Sequence, residues 1–404
     1  MRVFQINTVY KTGSTGRIAE SLQRGLRDRG HDSIVAYGRG NKINNADGFK
    51  FTDISDVTIH VAMTRLIDRH GLYSDAATIR LIKEIRKYNP DIIHLHNIHG
   101  YYVNYELLFD FLKEYGKPIV WTLHDCWAFT GHCAYFTKSK CEKWVNGCYA
   151  CTEKRSYPAS YFVDNSKENY EIKKRIFTSI NKDLIIIVTP SDWLKGLVER
   201  SFLKKYKITT IHNGINIKKF KSLETGCKNN KTKKLIAVAS PWDERKGLHY
   251  LVEMAKKMPK DYELKIVGLS KKQIKDIRPL NNLKLYSKTS NLDELIKLYS
   301  DSDYFVNTTI EDNYPTVNLE ALACDLPVIT FPTGGSVESV REMGGAVTSS
   351  FSVEEMIHVI EDFNGKVKDN KDFIDERVMQ NSYFDIYNSV LLVGGTNGYC
   401  NSVF

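Results

Sequence analysis

Short apolar runs alternate with amphipathic stretches from one end of the chain to the other. Residues Arg2–Asn7 read as a strand, and residues 16–29 carry Ile18, Leu22 and Leu26 on one helical stripe. Residues 33–37, 91–95, 118–123 and 183–189 continue the strand series. Ile79, Leu81, Ile82 and Ile85 mark a helix ahead of the second of these. After a lysine-rich stretch the pattern restarts, with strand-like runs at 235–239, Tyr262–Val267, Leu283–Tyr286, 303–307 and 327–330. Strands separated by helical patterns predict parallel sheets wrapped by helices, so the chain reads as two doubly wound α/β domains. Ligands of such sheets sit beyond the carboxyl ends of the strands, and two domains facing across a cleft would hold a ligand between them. The expected boundaries are 1–215, 216–371 and a terminal segment, 372–404. Its helix, near 372–393, would pack back across the domains ahead of a loose tail. Residues 126–161, rich in Cys, Gly and aromatics, break the pattern and read as an insertion in the first domain.

The composition changes this picture little. Over 404 residues, 42% are hydrophobic and 26% charged, as in an ordinary globular protein of two or three domains. No run of about 18 apolar residues offers a membrane span. The first strand turns polar after six residues, too soon for a secretory signal. The expected location is therefore the cytoplasm.

The net charge of +9 is concentrated. Residues 204–234 hold ten lysines and one acid, Glu224, and the remaining 47 basic and 47 acidic side chains balance. A nucleic-acid groove would spread its cations and interleave aromatics, so no nucleic acid is expected. The stretch reads as a solvated linker or as a patch resting on an anionic membrane surface.

The stretch most informative about chemistry is 311–329, EDNYPTVNLEALACDLPVI. It predicts a loop, a helix beginning near Thr316, and a turn into a strand. A helix start behind a turn presents unpaired N–H groups and a positive dipole end, which suit a phosphate. Asp312 and Glu320, eight apart, place one carboxylate at the helix mouth and one inside it. They could grip sugar or ribose hydroxyls, or simply charge the helix N-terminus.

This stretch resembles the acidic signature of family 4 glycosyltransferases, retaining enzymes of the GT-B fold with two Rossmann-like domains. The resemblance spans roughly residues 1–385. It implies that Glu320 holds the donor ribose, that Asp312 (Glu in most members) faces the transferred sugar, and that amides around Tyr314, Pro315, Thr316 and Val317 meet the diphosphate. Gly13 and Gly16, in a loop opening the first helix, match the family's N-terminal glycine loop; by spacing alone they make a turn. The loop lacks the G-x-G-x-x-G of nicotinamide dehydrogenases. His124, in WTLHD at a strand end, matches the histidine beside the donor sugar. Residues 212–215, HNGI, resemble the motif closing the first domain.

Residues 242–247, WDERKG, resemble the basic donor loop. Pro241 stands where the family carries an Arg five before the Lys. Arg245 beside Lys246 is the candidate replacement, and both would neutralise the departing diphosphate. Gly334 and Gly335 match a glycine turn near the donor sugar.

Cys133, Cys141, Cys148 and Cys151 follow C-x7-C-x6-C-x2-C, near Cys126 and His132. Persistent disulfides are not expected in a cytosolic chain. One C-x2-C leaves a structural zinc, an iron–sulfur site and reduced thiols all open. The resemblance implies transfer of a hexosyl-type sugar from a nucleoside diphosphate (UDP- or GDP-linked) to a glycan acceptor, with no catalytic metal. The acceptor would be lipid-linked, in bacterial capsule, O-antigen or exopolysaccharide synthesis, peripherally at the inner membrane face. A sugar-nucleotide epimerase of the same fold and a non-catalytic sugar-nucleotide or metal-binding scaffold are the alternatives.

Overall fold

The computed structural model describes residues 1–43, 47–223 and 232–396. Two compact units emerge: Met1–His212 with Met379–Phe404, and Asn213–Val378.

The first unit is built on a seven-stranded parallel sheet: β1 (Arg2–Asn7), β2 (Asp32–Tyr37), β3 (Gly48–Lys50), β4 (Ile92–Leu95), β5 (Ile119–Thr122), β6 (Ile185–Thr189) and β7 (Lys207–Thr210), in the order β3-β2-β1-β4-β5-β6-β7. Every residue of β4, β5 and β6 is buried, as expected where helices cover both faces. The period of two sorts each strand between two cores. Phe4, Ile93, Ile119 and Ile187 pack with Leu81, Leu108, Phe177 and Leu194 on one face. Val3, Ile92, Val120 and Val188 pack on the other with Ile18, Leu22 and Leu26 of the Gly13–Arg27 helix and with Met379, Tyr383 and Tyr387 of the last helix.

The second unit holds a six-stranded parallel sheet, ordered β10-β9-β8-β11-β12-β13. Its strands are β8 (Lys233–Val238), β9 (Tyr262–Val267), β10 (Leu283–Tyr286), β11 (Tyr304–Asn307), β12 (Val328–Thr330) and β13 (Ala346–Val347). Leu235, Leu264, Val306 and Ile329 face one core, and Ile236, Val267, Phe305 and Val328 the other.

The two Rossmann-like α/β sheets expected from the alternation are thus present. Three strands escaped the apolar-run pattern, β3, β7 and β13, and all three lie at sheet edges. An edge strand packs on fewer neighbours and needs fewer apolar residues; β7, Lys-Ile-Thr-Thr, has no fully buried position. The first helix starts at Gly13 and not at residue 16, and the last spans Glu376–Thr396. The lysine-rich stretch is not one linker. Lys207 lies in β7, Lys233 and Lys234 open β8, and residues 224–231 lie outside the described residues. The last eight residues of the expected tail also lie outside them. Between β5 and the Ser166–Phe177 helix, the Cys-rich segment contributes only two 3-10 turns, Trp127–Phe129 and Lys143–Val145. It is held by buried Trp127, Phe129 and Trp144. Among the described residues no helix is long and apolar enough to cross a membrane.

In each sheet the strand order reverses once. β1 is flanked by β2 and β4, and β8 by β9 and β11. Such reversals open a crevice at the carboxyl ends of the two central strands, where ligands of open α/β sheets bind.

Candidate functional site

In the second unit the reversal lies between β8 and β11, and the loops leaving these strands carry Arg245, Lys246 and Asp312. The two loops are fastened to each other. Ile310 N–H donates to the Arg245 carbonyl at 2.9 Å, and the Thr308 hydroxyl donates to the Gly247 carbonyl at 3.1 Å. Gly247 has φ of +73°, and a Cβ there would lie 2.1 Å from the Thr308 carbonyl oxygen, so glycine is demanded twice over. Asp243 caps the short 3-10 turn by accepting the Lys246 N–H at 3.0 Å.

This clamp sets two cations around one carboxylate. Lys246 Nζ lies 2.5 Å from Asp312 Oδ2, and Arg245 approaches the same oxygen at 3.6 Å while donating to the Glu311 carbonyl at 2.5 Å. Burial alone would raise the Asp312 carboxyl. The Lys246 ammonium and the Arg245 guanidinium outweigh it and hold the group below its ordinary value. Four residues on, the Thr316–Ala323 helix begins behind Pro315 with no side-chain cap and no acid in its first turn. Its leading N–H groups have no partner within the helix. Thr316 and Val317 are part-exposed, and Tyr314 is buried. The arrangement therefore gathers two cations and an uncapped helix start, with one fixed carboxylate, at the sheet's crevice, a set suited to an anionic diphosphate.

Glu320 lies one turn into that helix, buried, and accepts the Tyr299 hydroxyl at 3.2 Å. Gly334, with φ of +45°, and Gly335 follow β12, the next strand of the sheet. Their turn is tied to the loop after β11 by the Thr333 hydroxyl, which donates to the Thr309 carbonyl at 2.7 Å.

In the first unit the reversal lies between β1 and β4. Gly13, with φ of +64°, and Gly16 belong to the first turn of the helix behind β1. His124 follows β5, and with His96, His99 and Asp125 it lines a small cavity at the strand ends. His99 Nε2 lies 3.0 Å from Asp125 Oδ2 and its Nδ1 2.9 Å from the Tyr157 hydroxyl. His124 Nε2 lies 3.2 Å from His96 Nδ1, and His96 Nε2 lies 3.0 Å from Gln5 Oε1. Burial pushes His124 down to about 4, against the pull of Asp125, and pushes His96 well below its ordinary value.

The sequence reading missed Gln5, His96, His99, Tyr299 and Thr308. The signal for two of them was present: His94-Leu-His96-Asn-Ile-His99 places three histidines at the end of a strand, where ligand-facing groups are expected. Four of the five cysteines of the Cys-rich segment, Cys133, Cys141, Cys148 and Cys151, line one cavity, which His132 shares.

Comparison with known proteins bears on the family and the fold. The family model described as Glycosyltransferase Family 4 matches residues 15–219, and that described as Glycosyl transferases group 1 matches residues 223–376. WcaC of Escherichia coli (strain K12), whose name assigns it to colanic acid biosynthesis as a glycosyl transferase, is 23% identical, with 89% of this chain and 90% of WcaC covered. A glycosyltransferase from Rickettsia africae superposes with a TM-score of 0.66 at 16% identity, covering 96% of this chain and 98% of that one. HepE from Anabaena, solved with UDP and glucose, superposes at 0.59 with 13% identity and 98% coverage of both. These likenesses show that the two sheets are those of a GT-B glycosyltransferase.

Proposed function

The chain belongs to glycosyltransferase family 4, and from that premise we propose that it moves a hexosyl-type sugar from a nucleoside diphosphate to a hydroxyl of a glycan acceptor, keeping the anomeric configuration. The observation that carries this reading is the convergence of Lys246 and Arg245 on Asp312 beside the uncapped start of the Thr316–Ala323 helix. As the sugar–phosphate bond breaks, negative charge grows on the diphosphate. Two cations and oriented amides already in place stabilise that charge without reorganising. No step of this scheme asks for a bound metal ion.

Glu320, oriented by Tyr299, takes the ribose hydroxyls, and Asp312 faces the transferred sugar once the diphosphate draws Lys246 and Arg245 away. Gly334 and Gly335 bring backbone close to the sugar. In the first unit, Gly13 and Gly16 let a ligand come close to their backbone, and His124 offers a neutral ring nitrogen to a substrate hydroxyl. The relative in colanic acid biosynthesis supports a role in polysaccharide synthesis; in this proposal the acceptor is lipid-linked, at the inner membrane face. The UDP complexes of HepE support a UDP-linked donor.

Incubating the purified chain with a panel of UDP- and GDP-sugars and lipid-linked acceptors tests the reading. Free nucleoside diphosphate together with a new glycosidic bond is expected. An epimerised nucleotide sugar without a glycoside would overturn it in favour of an epimerase. Absence of both, with nucleotide binding intact, would favour a scaffold.

A further inference from the structure

Five groups able to bind a soft cation surround one small cavity in the Cys-rich segment: Cys133, Cys141, Cys148, Cys151 and His132. His132 is buried, and its Nδ1 lies 2.5 Å from Asp68 Oδ1. The other oxygen of Asp68 accepts the Asn165 N–H at 2.8 Å, so Asp68 acts as a carboxylate acceptor. A neutral imidazole donating from Nδ1 to that carboxylate has its lone pair on Nε2. That nitrogen is buried with no hydrogen-bond partner among the described residues. Buried polar atoms are almost always satisfied, and a carboxylate behind an imidazole is the usual support of a metal-binding histidine.

The surroundings suit an anionic, thiolate-bound centre. Cys148 Sγ accepts the Gly131 N–H at 3.2 Å. Residue 131 must be glycine for that approach, because a Cβ there would lie 2.0 Å from the Ser166 carbonyl oxygen. Lys173, buried, donates to the carbonyls of Trp127 and Thr130 at 2.7 and 3.0 Å, and its ammonium lies 3.4 Å from the Trp127 ring centre. It stands within electrostatic reach of Cys148 and Cys133, and of the Asp125 and Asp68 carboxylates. A buried ammonium is costly unless opposite charge is near, and metal-bound thiolates would add to the charge of these two carboxylates.

We propose that this cavity is a structural site for a divalent cation of the zinc class. Cys133, Cys148 and Cys151 are three of its ligands, and Cys141 or His132 Nε2 is the fourth. Binding displaces the thiol protons and ties the Cys-rich segment to the end of the Ile54–Ile67 helix, through Asp68, and to the Ser166–Phe177 helix, through Lys173. No three of the candidate ligand atoms lie within 4.8 Å of one another, whereas thiolates on a tetrahedral zinc stand about 3.8 Å apart, so the proposal requires the ligands to draw together on binding.

The test uses the full chain, expressed in zinc-supplemented medium and purified under reducing, chelator-free conditions. Elemental analysis is expected to find about one zinc per chain. Cobalt(II) added to stripped protein is expected to give thiolate-to-metal charge-transfer bands and tetrahedral d–d bands. X-ray absorption then reads four sulfurs, or three sulfurs and one nitrogen, and either supports the site. Cys148→Ser with Cys151→Ser should abolish both signals. Because that variant can fail by misfolding, wild-type protein decides. Less than a tenth of a zinc per chain with no cobalt spectrum, or stoichiometric iron with acid-labile sulfide, overturns the proposal.

Discussion

His124 donates from Nε2 to Nδ1 of His96, 3.2 Å away, and the direction of that bond is dictated from the far side of His96. The Gln5 amide nitrogen donates to the Ala19 carbonyl and the Ser33 hydroxyl, both at 3.2 Å, which turns its oxygen toward His96 Nε2. An amide oxygen only accepts, so Nε2 of His96 carries the proton. His96 is neutral, being held well below its ordinary pKa by burial, and its Nδ1 must accept. His124, neutral by the same cause, is thereby fixed as the Nε2–H tautomer, with the lone pair on Nδ1.

Histidine-selective 15N NMR should accordingly show His124 with a protonated Nε2 and a bare Nδ1 at neutral pH. In Gln5→Leu the constraint is gone, and His124 should show a mixture of tautomers. Transfer should slow mainly through kcat, because the ring still occupies its place. A single Nδ1–H tautomer in the wild type would refute the relay.

The ion pairs of Asp312 make the second and third predictions opposite in sign. Lys246→Ala removes a cation from the diphosphate site. It should weaken nucleoside diphosphate binding and lower kcat/KM at least tenfold, about 1.4 kcal/mol in the barrier. Asp312→Asn removes the carboxylate that neutralises Lys246 and Arg245 in the ligand-free site. It should tighten binding of the bare nucleoside diphosphate severalfold while still lowering transfer at least tenfold. Calorimetry with UDP and GDP, alongside initial rates, reads both. Equal weakening of nucleotide binding in the two variants would show that the anion does not compete with Asp312 for these cations.

What the sequence disclosed follows the physics of each feature. β4, β5 and β6 were legible because a strand covered on both faces must be apolar throughout. β7 was not, because its lysine and threonines are compatible with an edge and equally with a linker. Arg245, Lys246 and Asp312 were read from short motifs 66 residues apart, but that both cations share one carboxylate oxygen is a product of the β8/β11 reversal and leaves no local trace. Gln5 is more instructive. A glutamine in the middle of an apolar first strand looks like a blemish, and only the register of β1 beside β4, pairing Gln5 with His94, brings its amide to the histidines.

A second buried polar network should be visible in stability alone. His94 lies 2.7 Å from the Tyr387 hydroxyl and 2.8 Å from the Thr122 hydroxyl, which meets the Tyr383 hydroxyl at 2.8 Å. Tyr387→Phe strands a buried imidazole nitrogen and should cost about 1–3 kcal/mol. That corresponds to a lower midpoint by about 2–4 °C per kcal/mol in a unit of this size. Tyr383→Phe should cost less, since Thr122 retains His94. Thermal or urea unfolding followed by tyrosine and tryptophan fluorescence tests the order. An equal or inverted ranking would argue that the last helix is held by its apolar contacts alone.

The histidines also predict how acid unfolds the protein. Burial pushes His60 and His94 down to about 3 and His124 to about 4, and it holds His70 and His96 well below the ordinary value. In the unfolded chain each takes a proton near pH 6.5. Below that pH the unfolded state therefore binds more protons than the native one, and stability falls as pH falls, by about 1.4 kcal/mol per unit for each group. At pH 5.5 all five act in the same, destabilising direction. All five belong to the first unit. The second contains only His249 and His358, both exposed. Hydrogen exchange between pH 7 and pH 5 should show protection in β1, β4 and β5 collapsing first, while β8, β9 and β11 stay protected. If the second sheet opened first, or if neither changed over that range, the buried rings would have to be charged already in the native state, and the tautomer assigned to His124 would fail with them.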